Sequence, residues 1–326
     1  VQSGDCFVER ISLRSIRSPR NDRIIDMIKN ESWPALPYEE WLDTYETLHL
    51  YTQIPGKIKL ALSPFLNEWW HVAYGVWARG ITTGPIPFEH RIFEIRFDFI
   101  SHIVELSDSV GNIKTIELKS RPVAEFYRLI LSALNEMGIE VTITSAPQEM
   151  ESTIPIASDT THRSYNREAV HRFWTVLSQV AGVFEQFRSG FSGKSSPVQF
   201  WWGSFDLAVS RYCGRPCNAG PHANRLARIG GDEEHFAAGF WPGDGRLKQP
   251  AFYAYRYPAL PELQKAPIQP READWNADLG ECILHYDDVR RSPSPEQAIL
   301  EFLTSTYESV ANLSHWDRAF LERKIQ

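Results

Sequence analysis

Between Lys57 and Leu118 the apolar pattern takes a period of two in successive segments, and no other feature of this chain restricts its fold as much. A period of two puts successive side chains on opposite faces of a strand, whereas a helix needs a period of about 3.6. Ile58, Leu60 and Leu62 begin the alternation. The segments 69–79, 91–99, 101–107 and 113–118 read as successive antiparallel strands, with Val110-Gly111-Asn112 as a hairpin turn. Ahead of the run, Tyr38 to Gln53 carries Trp41, Leu42, Tyr45, Leu48 and Leu50 at helical spacing, and Pro55-Gly56 reads as the stop. Behind it a helix is predicted over Pro122 to Met137, closed by Gly138, and then a strand over Glu140 to Thr144.

The same order then returns. Residues 146–165 are rich in Pro, Ser and Thr and lack periodicity, so they read as a linker. A helix from Asn166 to Phe187 turns Val170, Phe173, Trp174, Leu177, Val180 and Phe184 to one side. Strands follow at 197–202, 205–212, 235–241, 251–257 and 281–286, then helices at Pro295 to Ala311 and Trp316 to Lys324. Each half also carries Gly-Lys followed by Trp-Trp: Gly56-Lys57 with Trp69-Trp70, and Gly193-Lys194 with Trp201-Trp202. The expected fold is α+β: two similar lobes, each a mainly antiparallel sheet with flanking helices, packed face to face and consistent with an internal duplication. The expected bounds are an N-terminal extension over 1–32, a first lobe over 33–145, the linker over 146–165 and a second lobe over 166–326. In the extension, Asn21 reads as the cap of a short helix through Lys29.

Composition narrows the function by exclusion. A net charge of −7 argues against a nucleic-acid surface, which needs a basic stripe. No apolar run reaches the length of roughly 18 residues that spans a bilayer. The N-terminal residues lack the continuous apolar stretch of a secretory signal, and four cysteines do not make a disulfide scaffold, so a cytoplasmic location is expected. The chain has no Gly-x-Gly-x-x-Gly, so no nicotinamide or flavin site of that kind is expected; it also lacks a Gly-x-Ser-x-Gly elbow and a His-Glu-x-x-His. Gly193-Lys194-Ser195-Ser196 resembles the end of a phosphate loop but lacks its upstream glycine and strand, which leaves Lys194, with Lys57, as candidate substrate contacts. Cys213 and Cys217 with His222 fall short of a four-ligand zinc set, so free thiols are expected, with a disulfide between the two cysteines as the alternative under oxidation.

Several residues point to a small-molecule partner. Asp206 sits inside an apolar strand, where an acid must be paired or exposed, and its face could meet solvent or a cleft; Arg211 lies on the same strand. Tyr253, Tyr255 and Tyr257 alternate along the 251–257 strand, which lines one face with phenols beside the Gly239-Phe240-Trp241-Pro242-Gly243 loop. His71 and His102 read as structural.

The stretches Trp33-Pro-Ala-Leu-Pro-Tyr38, Asn67-Glu-Trp-Trp-His71, Trp202-Gly-Ser-Phe-Asp206, Gly239-Phe-Trp-Pro-Gly243 and Trp316-Asp-Arg318 together resemble an uncharacterised family, domain of unknown function 5996, over nearly all of 33–322. The resemblance supplies no activity. It implies histidines where this chain has Glu68, Gln199 and Glu233, the last followed by an acid as at Glu234. Three imidazoles and a carboxylate suit a divalent metal, and their joint replacement reads as one altered site. Glu68, Gln199, Glu233 and Glu234 are then an oxygen-rich cluster suited to a harder cation such as Mg²⁺ or Mn²⁺, to acid/base work, or to a site that has lost its metal.

The resulting expectation is an enzyme acting on a small organic substrate in an inter-lobe cleft, by acid/base or divalent-metal chemistry. Glu68, Glu233, Glu234 and Asp206 are its candidate catalytic residues. Lys194, Arg211, Gln199, Trp201, Trp202 and Tyr253 would hold the substrate, and Glu68, Gln199, Glu233 and Glu234 would take any metal. The alternative is a non-catalytic small-molecule-binding or interaction protein that has lost an ancestral metal site.

Overall fold

The computed structural model describes residues 32–218, 220 and 225–323; the extension with its Asn21 cap lies outside them. The first helix does not stop at Pro55-Gly56. Helix α1 runs from Tyr38 to Leu62 with Pro55 inside it, so Ile58, Leu60 and Leu62 are helical and not the start of a strand. Pro55 costs a backbone hydrogen bond, but Thr52 through Ile58 are all buried, and packing outweighs the local breaker. Gly56 serves close approach: a Cβ there would lie 2.4 Å from the Trp202 indole.

The first sheet is built from β1 (Gly75–Trp77), β2 (Gly80–Thr82), β3 (Ile86–Phe88), β4 (Arg91–Asp98), β5 (Ile103–Asp108) and β6 (Ile113–Glu117). Its order is β1-β2-β4-β5-β6 with β3 paired to β4, antiparallel throughout. The predicted strand over 69–79 shrinks to β1. Ahead of it Asn67–Trp69 form a 3-10 turn in which Glu68 and Trp69 have φ of 47° and 62°. No strand forms over Glu140 to Thr144. Helix α2 (Val123–Glu136) closes this half.

The stretch read as a linker is held down. Gln53 donates from Nε2 to the Gln148 carbonyl and accepts from its N–H at Oε1, both at 2.8 Å, while Ile156 and Asp159 are fully buried.

Helix α3 (Arg167–Ser189) follows, capped by Asn166, whose side chain accepts from the Ala169 N–H at 3.0 Å. The second sheet contains β7 (Gln199–Trp201), β8 (Asp206–Pro216), β9 (Glu233–Trp241), β10 (Ala251–Tyr257), β11 (Asp274–Asn276) and β12 (Glu281–His285), in the order β11-β12-β10-β9-β8-β7. The short helix α4 (Arg225–Gly230) lies between β8 and β9; α5 (Tyr286–Arg291), α6 (Pro295–Leu313) and α7 (Arg318–Leu321) end the chain. The fold is therefore α+β with two antiparallel six-stranded sheets, and each half runs helix, sheet, helix. The repeated dipeptides do not share this equivalence: Gly56-Lys57 is helical and Gly193-Lys194 is not, while Trp69-Trp70 lies at a turn and Trp201 ends a strand. The sheets meet edge to edge, not face to face, where Tyr74 and Phe200 exchange backbone hydrogen bonds at 2.8 and 2.9 Å. Among the described residues no helix is long and apolar enough to cross a membrane.

Strand pairing sorts the second sheet into two faces, because directly opposed residues point the same way. Leu207, Val209, Phe236, Ala238, Phe240, Phe252, Ala254 and Leu284 form the buried face, where Phe184 of α3 packs on Phe252 and Tyr307 of α6 on Phe236. The opposite face carries Asp206, Trp241, Tyr253, Tyr255 and Glu281 toward one end of the strands and Glu233, His235, Tyr212 and Tyr257 toward the other.

Candidate functional site

A cavity of about 890 Å³ opens against the first of these ends. One wall comes from the first half: Tyr38, Leu42, Tyr45 and His49 recur at helical spacing along a single side of α1. The facing wall is the second sheet, with Asp206 at the start of β8, Trp241 at the end of β9, Tyr253 and Tyr255 on β10 and Glu281 at the start of β12. Glu149 to Ser152, from the stretch read as a linker, bridge the two.

Local features aim these groups. His49 is 3% exposed and bonds through Nε2 to the carbonyls of Trp202 and Gly203 at 3.1 and 2.8 Å. That pins the β7–β8 turn, in which Phe205 takes φ of 59°, to α1. Accepting carbonyls require the proton on Nε2, and burial lowers the imidazole pKa to about 4, so His49 is neutral at neutral pH. Asp206 follows the turn and is 5% exposed. Its Oδ1 accepts from the Ser204 hydroxyl and its Oδ2 from the Tyr253 phenol. Tyr253 lies over Gly239, where a Cβ would come within 2.3 Å of the phenol oxygen. Glycine is what lets the phenol lie down and reach Asp206.

The electrostatics of the cavity are one-sided. Burial raises the Asp206 pKa, against the pull of its two hydroxyl donors. Burial pushes Glu281 up to about 7; Arg246 opposes the rise and Asp206 adds to it. Among the described residues neither carboxyl has a cation in ion-pair contact, and the same holds for Glu149 and Glu151. The cations that do line the cavity contact other carboxylates. Arg246 binds Asp244 through Nε and Nη2 at 3.0 and 2.8 Å, and Lys248 lies 3.8 Å from Glu39.

The four-residue cluster expected from the sequence does not form as one group. Lys194 bridges two of its members, donating to Glu68 Oε1 at 2.5 Å and Glu233 Oε2 at 2.8 Å, with its ammonium 4.5 Å from the Tyr212 ring centre. Gln199 turns its amide to the Trp70 carbonyl at 3.3 Å. Glu234 follows Glu233 on a strand and so points through to the opposite face, where it accepts from Trp316 Nε1 at 2.5 Å and pairs with Arg256 at 2.8 Å. No three His, Cys, Asp or Glu side chains among the described residues converge as metal ligands, and an ammonium stands between the two carboxylates that do approach each other. These residues do not fit a divalent ion.

Of the other residues read as substrate contacts, only Tyr253 lines the cavity. Arg211 points to the buried face, stacked 3.5 Å from the Phe187 ring centre and donating to the Phe187 carbonyl, and burial lowers its pKa to about 10. Trp202 is buried with Nε1 on the Val72 carbonyl at 2.9 Å, Lys57 lies over its ring, and Trp201 ends β7 away from the cavity lining. His71 and His102 bond Leu66 N–H and the Tyr165 phenol, and Cys213 and Cys217 are free thiols.

Sequence reasoning missed His49, Glu149 and Glu281. Two had a signal: Trp41, Tyr45 and His49 are spaced at i, i+4, i+8, and Glu281 shares strand parity with Ile283. Glu149, in an aperiodic stretch, had none.

No curated protein and no solved structure matches the chain. One family model does, over residues 33–323, described as a family of unknown function, DUF5996.

Proposed function

The chain belongs to that family of unknown function, and from that premise we propose that it is an enzyme acting on a small organic substrate in the cavity between its two halves, by acid/base chemistry. The observation that carries this reading is the placement of Asp206 and Glu281 on one aromatic wall, with no cation in ion-pair contact with either among the described residues. A carboxyl with a pKa of about 7 exists in both protonation states near neutrality, which is what a general acid or base requires. Glu281 exchanges the proton with the substrate. Asp206, held by Ser204 and Tyr253, keeps a fixed position and orients the substrate through its remaining lone pairs. Neutral His49 offers a further acceptor. The cavity lies within the size range of small-molecule sites, about 300–1,000 Å³.

The test is turnover. The full chain is incubated with a mixture of polar metabolites and substrate loss is followed by mass spectrometry. Loss is expected with the wild type and is abolished in Glu281→Gln, with circular dichroism unchanged. Equal turnover in that variant removes Glu281 from the chemistry.

A second reading, non-catalytic binding of a small molecule in the same cavity, draws support from the two internal donors that hold Asp206 in place. Under it, ligands are bound by wild type and Glu281→Gln alike and leave unchanged.

A further inference from the structure

The hydrogen-bonding inventory of the cavity is lopsided, and it specifies the chemistry of what fits. Acceptors dominate: Asp206, Glu281, Glu149 and Glu151 present carboxylate oxygens without a partner cation among the described residues. His49 lines the cavity and is more than nine-tenths buried; with Nε2 committed to the turn carbonyls, its Nδ1 lone pair has no partner among the described residues. Some of the donors are spent inside the protein, while the phenols of Tyr38 and Tyr255 and the indole N–H of Trp241 line the cavity without an acceptor among the described residues. Ser204 and Tyr253 donate to Asp206, Tyr45 donates to the Gly243 carbonyl at 3.1 Å, and Arg246 is clamped by Asp244. An anionic ligand would meet carboxylates, and a neutral polyol would bring no charge to offset theirs. A ligand that brings only N–H donors and positive charge satisfies the acceptors and relieves the repulsion between Asp206 and Glu281. The faces of Trp241 and Tyr255 offer an apolar and cation-attracting surface beside them.

We infer that the cavity takes a small organic cation, an amine or amidine on an apolar body, with its nitrogen directed at Asp206 and Glu281. The inference rests on the reading of this cavity as the substrate site.

The experiment is calorimetric titration of the full chain at pH 8 with one ring in several charge states: benzylamine and benzamidine as cations, benzyl alcohol as the neutral form and benzoate as the anion, with glucose as a polyol. The cations are expected to bind at least tenfold more tightly than benzyl alcohol, with benzoate silent. Their affinity should fall at least fivefold from 50 to 500 mM NaCl. Asp206→Asn and Glu281→Gln should each weaken benzylamine at least tenfold and leave benzyl alcohol within twofold. Glu149→Gln, on a segment open to solvent, gives the same direction of change should Asp206→Asn not fold. Benzyl alcohol, glucose or benzoate binding as well as the amines, with that binding lost in Trp241→Ala, overturns the cation assignment and leaves the cavity a site. Binding by no member of the panel overturns both.

Discussion

Two groups of carboxylates meet one face of the second sheet, Glu68 reaching it from the turn ahead of β1, and they differ in whether a cation stands in contact with them. At one end Glu68 and Glu233 close on the ammonium of Lys194. At the other Asp206 and Glu281 face a cavity, Asp206 with two hydroxyl donors, and neither has a cation in ion-pair contact among the described residues. The first group supplies its own counter-charge, although Glu68 Oε2 is buried without a hydrogen-bond partner among the described residues. The second leaves its charge for something that enters. Acid content alone does not mark a site; the partner that the fold withholds does.

The largest expected effect tests the closed end. Lys194→Met strands Glu68, whose side chain is 3% exposed, and Glu233, 16% exposed, without their cation. Breaking a buried pair from one side costs about 3–5 kcal/mol; Lys194 is 33% exposed, so a loss of about 2–4 kcal/mol in urea unfolding is expected. Adding Glu68→Gln should recover part of it. Asp206→Asn at the open end removes a buried charge and keeps the shape, so it should cost less than about 1 kcal/mol. Equal losses at the two ends would break the comparison.

Next is Gly239→Ala. The added Cβ collides with the Tyr253 ring and drives its phenol off Asp206. A loss of about 1–3 kcal/mol is expected, together with weakened benzylamine binding.

The pH dependence is smaller and carries two opposite signs. Glu281 is raised from 4.5 to about 7 in the folded state, so between those values the folded chain binds more protons than the unfolded one and stability falls as pH rises. Glu281→Gln removes that loss: its melting temperature should exceed that of the wild type by about 1–3 °C at pH 8, the difference vanishing near pH 4.5. His49 is lowered from 6.5 to about 4, so the unfolded chain binds the extra proton and stability falls as pH drops through that window. His49→Gln should flatten the acid side of the profile. A wild-type slope preserved in both variants would mean that neither group faces a cavity of this character.

Much of the fold was legible because period and capping are local. The periodicity of 167–189, the Asn166 cap and the alternation through β4, β5, β9 and β10 are set by neighbours in sequence, and the structure agrees with them. The parity of Tyr253 and Tyr255 and the outward turn of Asp206 followed from the same period. Local rules failed where burial outweighed them. Pro55-Gly56 has the form of a helix stop, but the helix runs through it because the surrounding residues are buried and Gly56 admits the Trp202 indole.

The site was legible only in part, for the same reason. Sequence alone determined the α+β order of elements, the face on which Asp206 and the tyrosines lie, and the absence of nucleotide-loop and hydrolase-elbow motifs. Only the tertiary structure decided which carboxylates meet a cation. Lys194 reaches Glu68 across 126 positions of chain, and Asp206 and Glu281 share a cavity wall although 75 positions separate their numbers. The charge on a residue is written in its own side chain; its compensation depends on distances of a few ångströms that only packing sets.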